Sequence, residues 1–286
     1  MEKSTKNWLV GCGIGCGAVL VIFLILAITG VVFIKNTVSL FKDSSDIADT
    51  LTGLYGEIED FTPGPDGSID QTRIEMFLSV REKTATVRER LERALSILEE
   101  AKGTGEEGAV RTPGQGFRAV KTAFGLIPQI GEFLAGRNQA LLKAEMGLGE
   151  YLYIYSLAYF SWLERSPGDG PGFRILQHGE GWSTRRWEEE ENQEDILREM
   201  RRRINHLLLP MLRNQLARLR EQAASESLSS WESRLEAEIF ALERESIRIP
   251  WQDGLPERTI SSLRSFRQRF LDLYSPETNI IELALD

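Results

Sequence analysis

The sequence predicts an all-α protein: an N-terminal transmembrane helix followed by an irregular multi-helix bundle. Three observations carry this. Trp8 to Ile34 holds no charged residue. Beyond it, apolar residues recur at three- and four-residue spacing in stretch after stretch, the period of a half-buried helix. Dense Pro/Gly breaks separate those stretches, and no clear strand pattern of alternating apolar and polar residues stands out.

A helix from Leu9 to Ile34 would be roughly 39 Å long at ~1.5 Å per residue, longer than the ~30 Å hydrocarbon core. Residues 8–34 therefore read as a membrane span, tilted or with the Gly-rich end at the interface. A cleaved signal has a shorter apolar core and a small-x-small site, whereas here Lys35-Asn36-Thr37 follows the run. Leu9-Val10-Gly11-Cys12 fits the lipoprotein-processing pattern, but the apolar segment follows the Cys instead of preceding it. Lys3 and Lys6 flank one side, and Lys35 and Lys42 the other. With the lysines balanced, the free amino terminus and the short tail decide. They place residues 1–7 in the cytoplasm and the large domain outside it. Gly11, Gly13, Gly15 and Gly17 form two overlapping small-xxx-small pairs, which suit close helix approach and self-association in lipid. The two cysteines, Cys12 and Cys16, both lie inside this run and make no disulfide framework.

Residues 35–60 read as a juxtamembrane helix, with Ile47, Leu51, Leu54, Tyr55 and Ile58 at helical spacing. Phe61-Thr-Pro-Gly-Pro-Asp-Gly67 stops it. Residues 61–286 then form a soluble helical domain. Ser68 and Gln71 have capping-box spacing ahead of a helix to about Lys102, whose apolar stripe runs through Ile74, Phe77, Leu78, Val87, Leu91, Leu95 and Leu98. Residues 103–116 read as a flexible linker. Phe117 to Met146 reads as a helix kinked at Pro128, and Gly147 to Glu150 as a break and restart.

Tyr151 to Leu163 (YLYIYSLAYFSWL) is the most aromatic run in the chain. It is too short to span a bilayer as a helix. The plainer reading is a central core helix. The sharper one is a hydrophobic groove lined by Tyr151, Tyr155, Tyr159 and Trp162, because Tyr and Trp favour half-wet settings. Residues 165–191 read as a second flexible loop. Ile196 to Gln222 reads as a helix kinked at Pro210. Its Arg201-Arg202-Arg203 run reads as a charged face, with an anionic partner as the second reading. A helix capped by Ser229 or Ser230 carries Trp231, Leu235, Ile239 and Leu242. A last helix runs from Pro256 or Glu257 to Tyr274, and the apolar tail from Ile280 to Leu285 docks on the body.

Chemistry is sparse. A net charge of −9 argues against nucleic-acid binding, which needs a basic surface. The two histidines, His178 and His206, complete no metal-ligand set. No P-loop, dinucleotide fingerprint or Gly-x-Ser-x-Gly occurs, so no cofactor is expected. Carboxylate hydrolysis would need partners that meet only in space.

Phe61-Thr-Pro, Asp66-Gly67 and Phe77-Leu78-Ser79-Val80-Arg81, with Glu145-Met146-Gly147-Leu148-Gly149-Glu150-Tyr151, resemble stretches of bacterial membrane-anchored proteins of uncharacterised activity. In that group a Pro/Asp-Gly loop precedes one helix, and a Met–cap–Glu-Tyr step starts another. Gly147 departs from the pattern, standing where Ser or Thr would cap better. The resemblance covers about a third of the chain; it implies a bacterial origin and no mechanism.

The leading expectation is a single-pass anchored protein whose helical body binds a partner, or scaffolds a complex, among envelope proteins. A membrane-tethered domain binding lipid or another hydrophobic ligand comes second, and an enzyme using carboxylates third.

Overall fold

A computed structural model of the chain describes residues 46–103, 113–170, 173–178, 181–186, 193–222 and 226–283. The tail 1–7, the expected span 8–34 with Gly11, Gly13, Gly15 and Gly17, and residues 35–45 lie outside them. Among the described residues, no helix is long and apolar enough to cross a membrane.

Helices dominate, as the periodicity predicts. Residues 46–55 form α1, with Leu51 buried, and Gly56 ends it at a φ of +81°. A 3-10 turn follows at Ile58–Asp60. The Pro/Gly loop after it is clamped to the body. Trp231 donates its ring N–H to the Pro65 carbonyl at 2.7 Å, and Thr259 its hydroxyl to that of Gly67 at 2.6 Å.

α2 is Gln71–Lys83 and α3 is Ala85–Gly103. Two expectations shift here. The cap is Asp70, whose carboxylate accepts from the Thr72 N–H at 2.7 Å. Ser68 instead hydrogen-bonds Asp66 within the preceding loop. The single helix expected to Lys102 is divided at Thr84, whose hydroxyl donates back to the Val80 carbonyl at 3.0 Å, a contact that bends helices. α4 is Pro113–Lys143, with Pro128 inside it, and it packs along α3. Leu91, Leu95, Leu126, Ile130 and Phe133 form a small core between the two helices, joined by Ile281.

α5 is Leu148–Tyr155, with Gly147 at its cap as expected. It runs into a π-helix at Ser156–Trp162. Gly149 allows the 3-10 turn to lie close against α5, since a Cβ there would stand 2.3 Å from the Ile58 carbonyl oxygen.

The stretch expected as an irregular loop carries a hairpin. β1 (Phe173–His178) and β2 (Gly181–Arg186) pair antiparallel, with Ile175 opposite Thr184 and His178 opposite Gly181. The readable signal was the two-residue link Gly179-Glu180, since Gly at the first central position is a hairpin preference.

α6 is Gln193–Gln222, with Pro210 inside it, and α7 is Glu226–Arg244. α7 begins before Ser229, so neither Ser229 nor Ser230 caps it. The two pack along each other, burying Ile204, Leu208, Met211, Leu235, Ile239 and Leu242 in the main core. The last long helix is also divided, into α8 (Glu257–Arg264) and α9 (Arg267–Leu273). α10 (Asn279–Glu282) ends the described chain, with Ile280, Ile281 and Leu283 buried as the apolar tail predicts.

Candidate functional site: a sealed charge cluster and an open cleft about one π-helix

A π-helix carries one more residue per turn than its neighbours require, and such turns gather at functional sites. Here the wide turn closes with the Leu163 N–H donating to the Ala158 carbonyl at 3.0 Å. The same segment borders two polar regions of opposite character.

The first is sealed. Tyr151, Tyr155 and Tyr159 stand four residues apart along α5 and the π-helix, and all three are buried. Tyr155 packs on Tyr159 with ring centroids 4.8 Å apart, and Phe77 packs on Tyr151 at 4.9 Å. These three rings therefore face the packed interior. They do not line the groove considered from sequence, and the core reading of this run is the one the structure bears out. Trp162 is half-buried, edge-on to Phe270.

Between the tyrosines lies Arg81, with 0% of its surface exposed. Its guanidinium donates to the Glu282 carboxylate at 2.5 Å, to the Tyr151 hydroxyl at 3.1 Å and to the Leu273 carbonyl at 2.7 Å. It also lies over the rings of Tyr155 and Tyr159, 5.1 and 5.5 Å from their centroids. Glu282 is 1% exposed; it accepts from Tyr151 at 3.1 Å and from Arg137 at 3.3 Å. Arg88 donates to the Arg81 carbonyl at 3.2 Å. Burial and the neighbouring Arg81 charge pull the Arg88 guanidinium below its ordinary value. Burial pushes the phenols of Tyr151, Tyr153, Tyr155 and Tyr159 up, and Glu282 adds to the effect on Tyr151.

Four helices, α2, α4, α5 and α10, thus meet at one carboxylate. Buried charges of this kind are tolerated only when paired and hydrogen-bonded. Two hydroxyls nearby, on Ser156 and Tyr159, make no hydrogen bond.

The second region is a cleft of about 460 Å³, open to solvent. That is the size of a small-ligand recess. Phe160 and Ser161 of the π-helix form one wall, Leu197 and Arg201 of α6 a second, and the turn Ile249–Gly254 a third. Gly168 lets the loop after the π-helix close on α6, since a Cβ there would stand 3.2 Å from the Leu197 Cα. Ser161 donates to the Pro250 carbonyl at 2.7 Å, joining the first wall to the third. The turn is held from behind. Glu238 accepts from the Trp251 N–H at 2.7 Å and from Arg248 at 3.2 Å, and Asn205 donates to the Leu242 and Glu245 carbonyls at 3.1 Å.

Three non-glycine residues among those described have positive φ; Glu164, at +52°, lines this cleft, and Trp251, at +59°, lies in the turn that forms its third wall. Such conformations cost of order 1–3 kcal/mol each and cluster at functional sites. With the π-helix, three backbone irregularities converge on one recess.

The cleft separates the Arg201-Arg202-Arg203 run that sequence treats as one charged face. Arg202 is exposed and donates to Glu199 at 2.8 Å, and Arg203 pairs with the same carboxylate at 3.4 Å. Arg201 lines the cleft, and its Nε is sealed from solvent without a hydrogen bond. Sequence reasoning found the run but had no means of dividing it. It missed the charge role of Glu282, because that residue meets Arg81 across 201 positions of chain. His206 is exposed on α6, and among the described residues no group of His, Cys, Asp and Glu stands together to hold a metal ion.

No protein family, curated protein or solved structure matches the chain. The functional reading therefore rests on the residues themselves.

Proposed function

We propose that the chain is a single-pass membrane-anchored protein whose helical body binds a partner or scaffolds a complex in the cell envelope. The observation that carries this reading is the uncharged stretch from Trp8 to Ile34, long enough to cross a bilayer, ahead of a helical body. The body supports a binding role through its cleft, a recess framed by strained backbone. Residues 1–7 lie in the cytoplasm and the body outside it. In lipid, Gly11, Gly13, Gly15 and Gly17 bring two spans together.

The lipid-binding alternative at Tyr151, Tyr155 and Tyr159 has little support, since those rings are occupied by one another and by Arg81. A carboxylate enzyme at Glu282 has as little, because that group is enclosed and neutralised by two arginines.

The test is a pair of C-terminal fusions, one to alkaline phosphatase and one to a fluorescent protein that matures only in the cytoplasm. Phosphatase activity without fluorescence is the expected result. Fluorescence without phosphatase activity would overturn the orientation, and a chain that fractionates away from membranes would overturn the anchoring. In a membrane dimerisation reporter carrying residues 1–42, replacing Gly13 and Gly17 by Ile is expected to lower the signal.

A further inference from the structure

The proposed binding role leaves the occupant of the cleft undefined, and its lining defines a class. We infer that the cleft between the π-helix, α6 and the Ile249–Gly254 turn is a site for a small amphiphilic anion, a carboxylate or phosphate head on a short apolar stem. The inference goes beyond the anchoring and holds or fails independently of it.

The head is assigned by Arg201. The chain holds 43 acidic and 34 basic residues, so carboxylates are in excess. Most arginines of the body find one: Arg73 pairs with Glu150, Arg90 with Glu132, Arg213 with Glu243 and Arg269 with Glu82. Arg201 donates to no acceptor among the described residues, although Glu164 and Asp253 share its cleft. Asp253 is held instead by Arg248 at 2.7 Å, a cation that it shares with Glu238. Arg165 brings a second cation to the same lining; its guanidinium lies over the Tyr274 ring at 5.4 Å.

The Arg201 Nε is enclosed by protein and makes no hydrogen bond. A planar guanidinium with no acceptor among the described residues suits bidentate contact with an oxyanion. Glu164 and Asp253 are the opposing charges in the lining, and both are exposed to water, which screens them. The stem of the ligand is assigned by Phe160, Leu197 and Ile249, which supply apolar wall beside the cations. An anion without a stem would leave that wall wet, and a neutral apolar molecule would leave Arg201 unanswered.

The experiment uses the full chain in phosphatidylcholine nanodiscs, titrated calorimetrically with hexyl phosphate, inorganic phosphate and hexyltrimethylammonium. Saturable binding of hexyl phosphate is expected, with inorganic phosphate roughly tenfold weaker or more for want of the stem, and no binding of the cation. Arg201→Gln is expected to weaken hexyl phosphate roughly tenfold or more, Arg201→Lys less, and Glu164→Gln to tighten it. Hydrogen exchange on the unmodified chain guards against a variant that misfolds. Hexyl phosphate should slow exchange in residues 160–167 and 249–254.

Absence of saturable binding, equal affinity in Arg201→Gln, or protection confined to other segments would each overturn the site. Equal affinity for inorganic and hexyl phosphate would overturn the stem. Repeating the titration in discs containing phosphatidylglycerol distinguishes the sources. Lost binding marks a lipid headgroup already seated in the cleft, and retained binding marks a free amphiphile; the site stands in both. If the chain proves not to need a bilayer, the same titration runs in buffer, so failure of the anchoring and failure of the cleft are read separately.

Discussion

Arg81 and Arg201 both neighbour the π-helix, and each has an Nε that is enclosed and makes no hydrogen bond. They differ in what meets the rest of the guanidinium. Arg81 is answered on every side by a carboxylate, a phenol, a carbonyl and two ring faces. Arg201 stands in a cleft and donates to no acceptor among the described residues. A cation wholly removed from water must be neutralised by the fold, so its partners are structural. A cation at the rim of a recess carries no such obligation and stays free for a ligand. The contrast separates charges that hold the molecule together from charges that it presents.

Removing one side of the sealed cluster gives the largest expected effect. Glu282→Ala leaves Arg81 and Arg137 buried without their counter-charge and should cost about 3–5 kcal/mol. Urea unfolding followed by circular dichroism reads this, and a loss under about 1 kcal/mol would mean that the cluster is not closed in solution.

Alkaline pH should act next. An unfolded phenol ionises near 10, whereas burial raises the folded-state value of Tyr274 to about 12 and those of Tyr151, Tyr153, Tyr155 and Tyr159 well above the usual range. The unfolded chain therefore loses these protons first as pH climbs. Stability is fully present below about 10 and is lost progressively above it. A urea midpoint that stays flat from pH 9 to pH 11 would place the rings in water.

Tyr151→Phe deletes contacts to both Arg81 and Glu282 and should cost about 1–2 kcal/mol, while Tyr159→Phe deletes a hydroxyl that bonds nothing and should be neutral or slightly stabilising. Reversal of that order in thermal unfolding would break the assignment of partners.

The smallest effect sharpens the comparison most. Arg201→Gln should change stability by less than about 0.5 kcal/mol, as for a surface substitution. A loss near that of Glu282→Ala would show that Arg201 belongs to the fold after all.

Periodicity carries most of the helical architecture. Leu235, Ile239 and Leu242 mark the buried face of α7, and Ile204, Leu208, Met211 and Leu212 that of α6, because a 3.6-residue repeat is local and visible in one dimension. What escapes it is also local but lacks a breaker. Thr84 and Phe266 interrupt helices without Gly or Pro, and the π-turn at Ser156–Trp162 interrupts nothing that spacing registers. The site is legible in a different proportion. The aromatic run marks its neighbourhood, yet it leaves a dry core helix and a half-wet groove both open, because Tyr serves both settings. The arginine run marks one contributor. Its division among Glu199 and the cleft depends on Leu197, Phe160 and the Trp251 turn, which come together only in the folded chain.

The position of Glu282 has a consequence for biosynthesis. Arg81 leaves the ribosome 201 residues before the carboxylate that neutralises it. At roughly 5–20 residues per second, that interval lasts on the order of 10–40 s. Throughout it the central tyrosines have their cation but not its counter-ion, and the main core has no closing piece. The pair cannot form until α10 has emerged, and a chain stopped short of Glu282 would hold the Arg81 charge without its counter-ion.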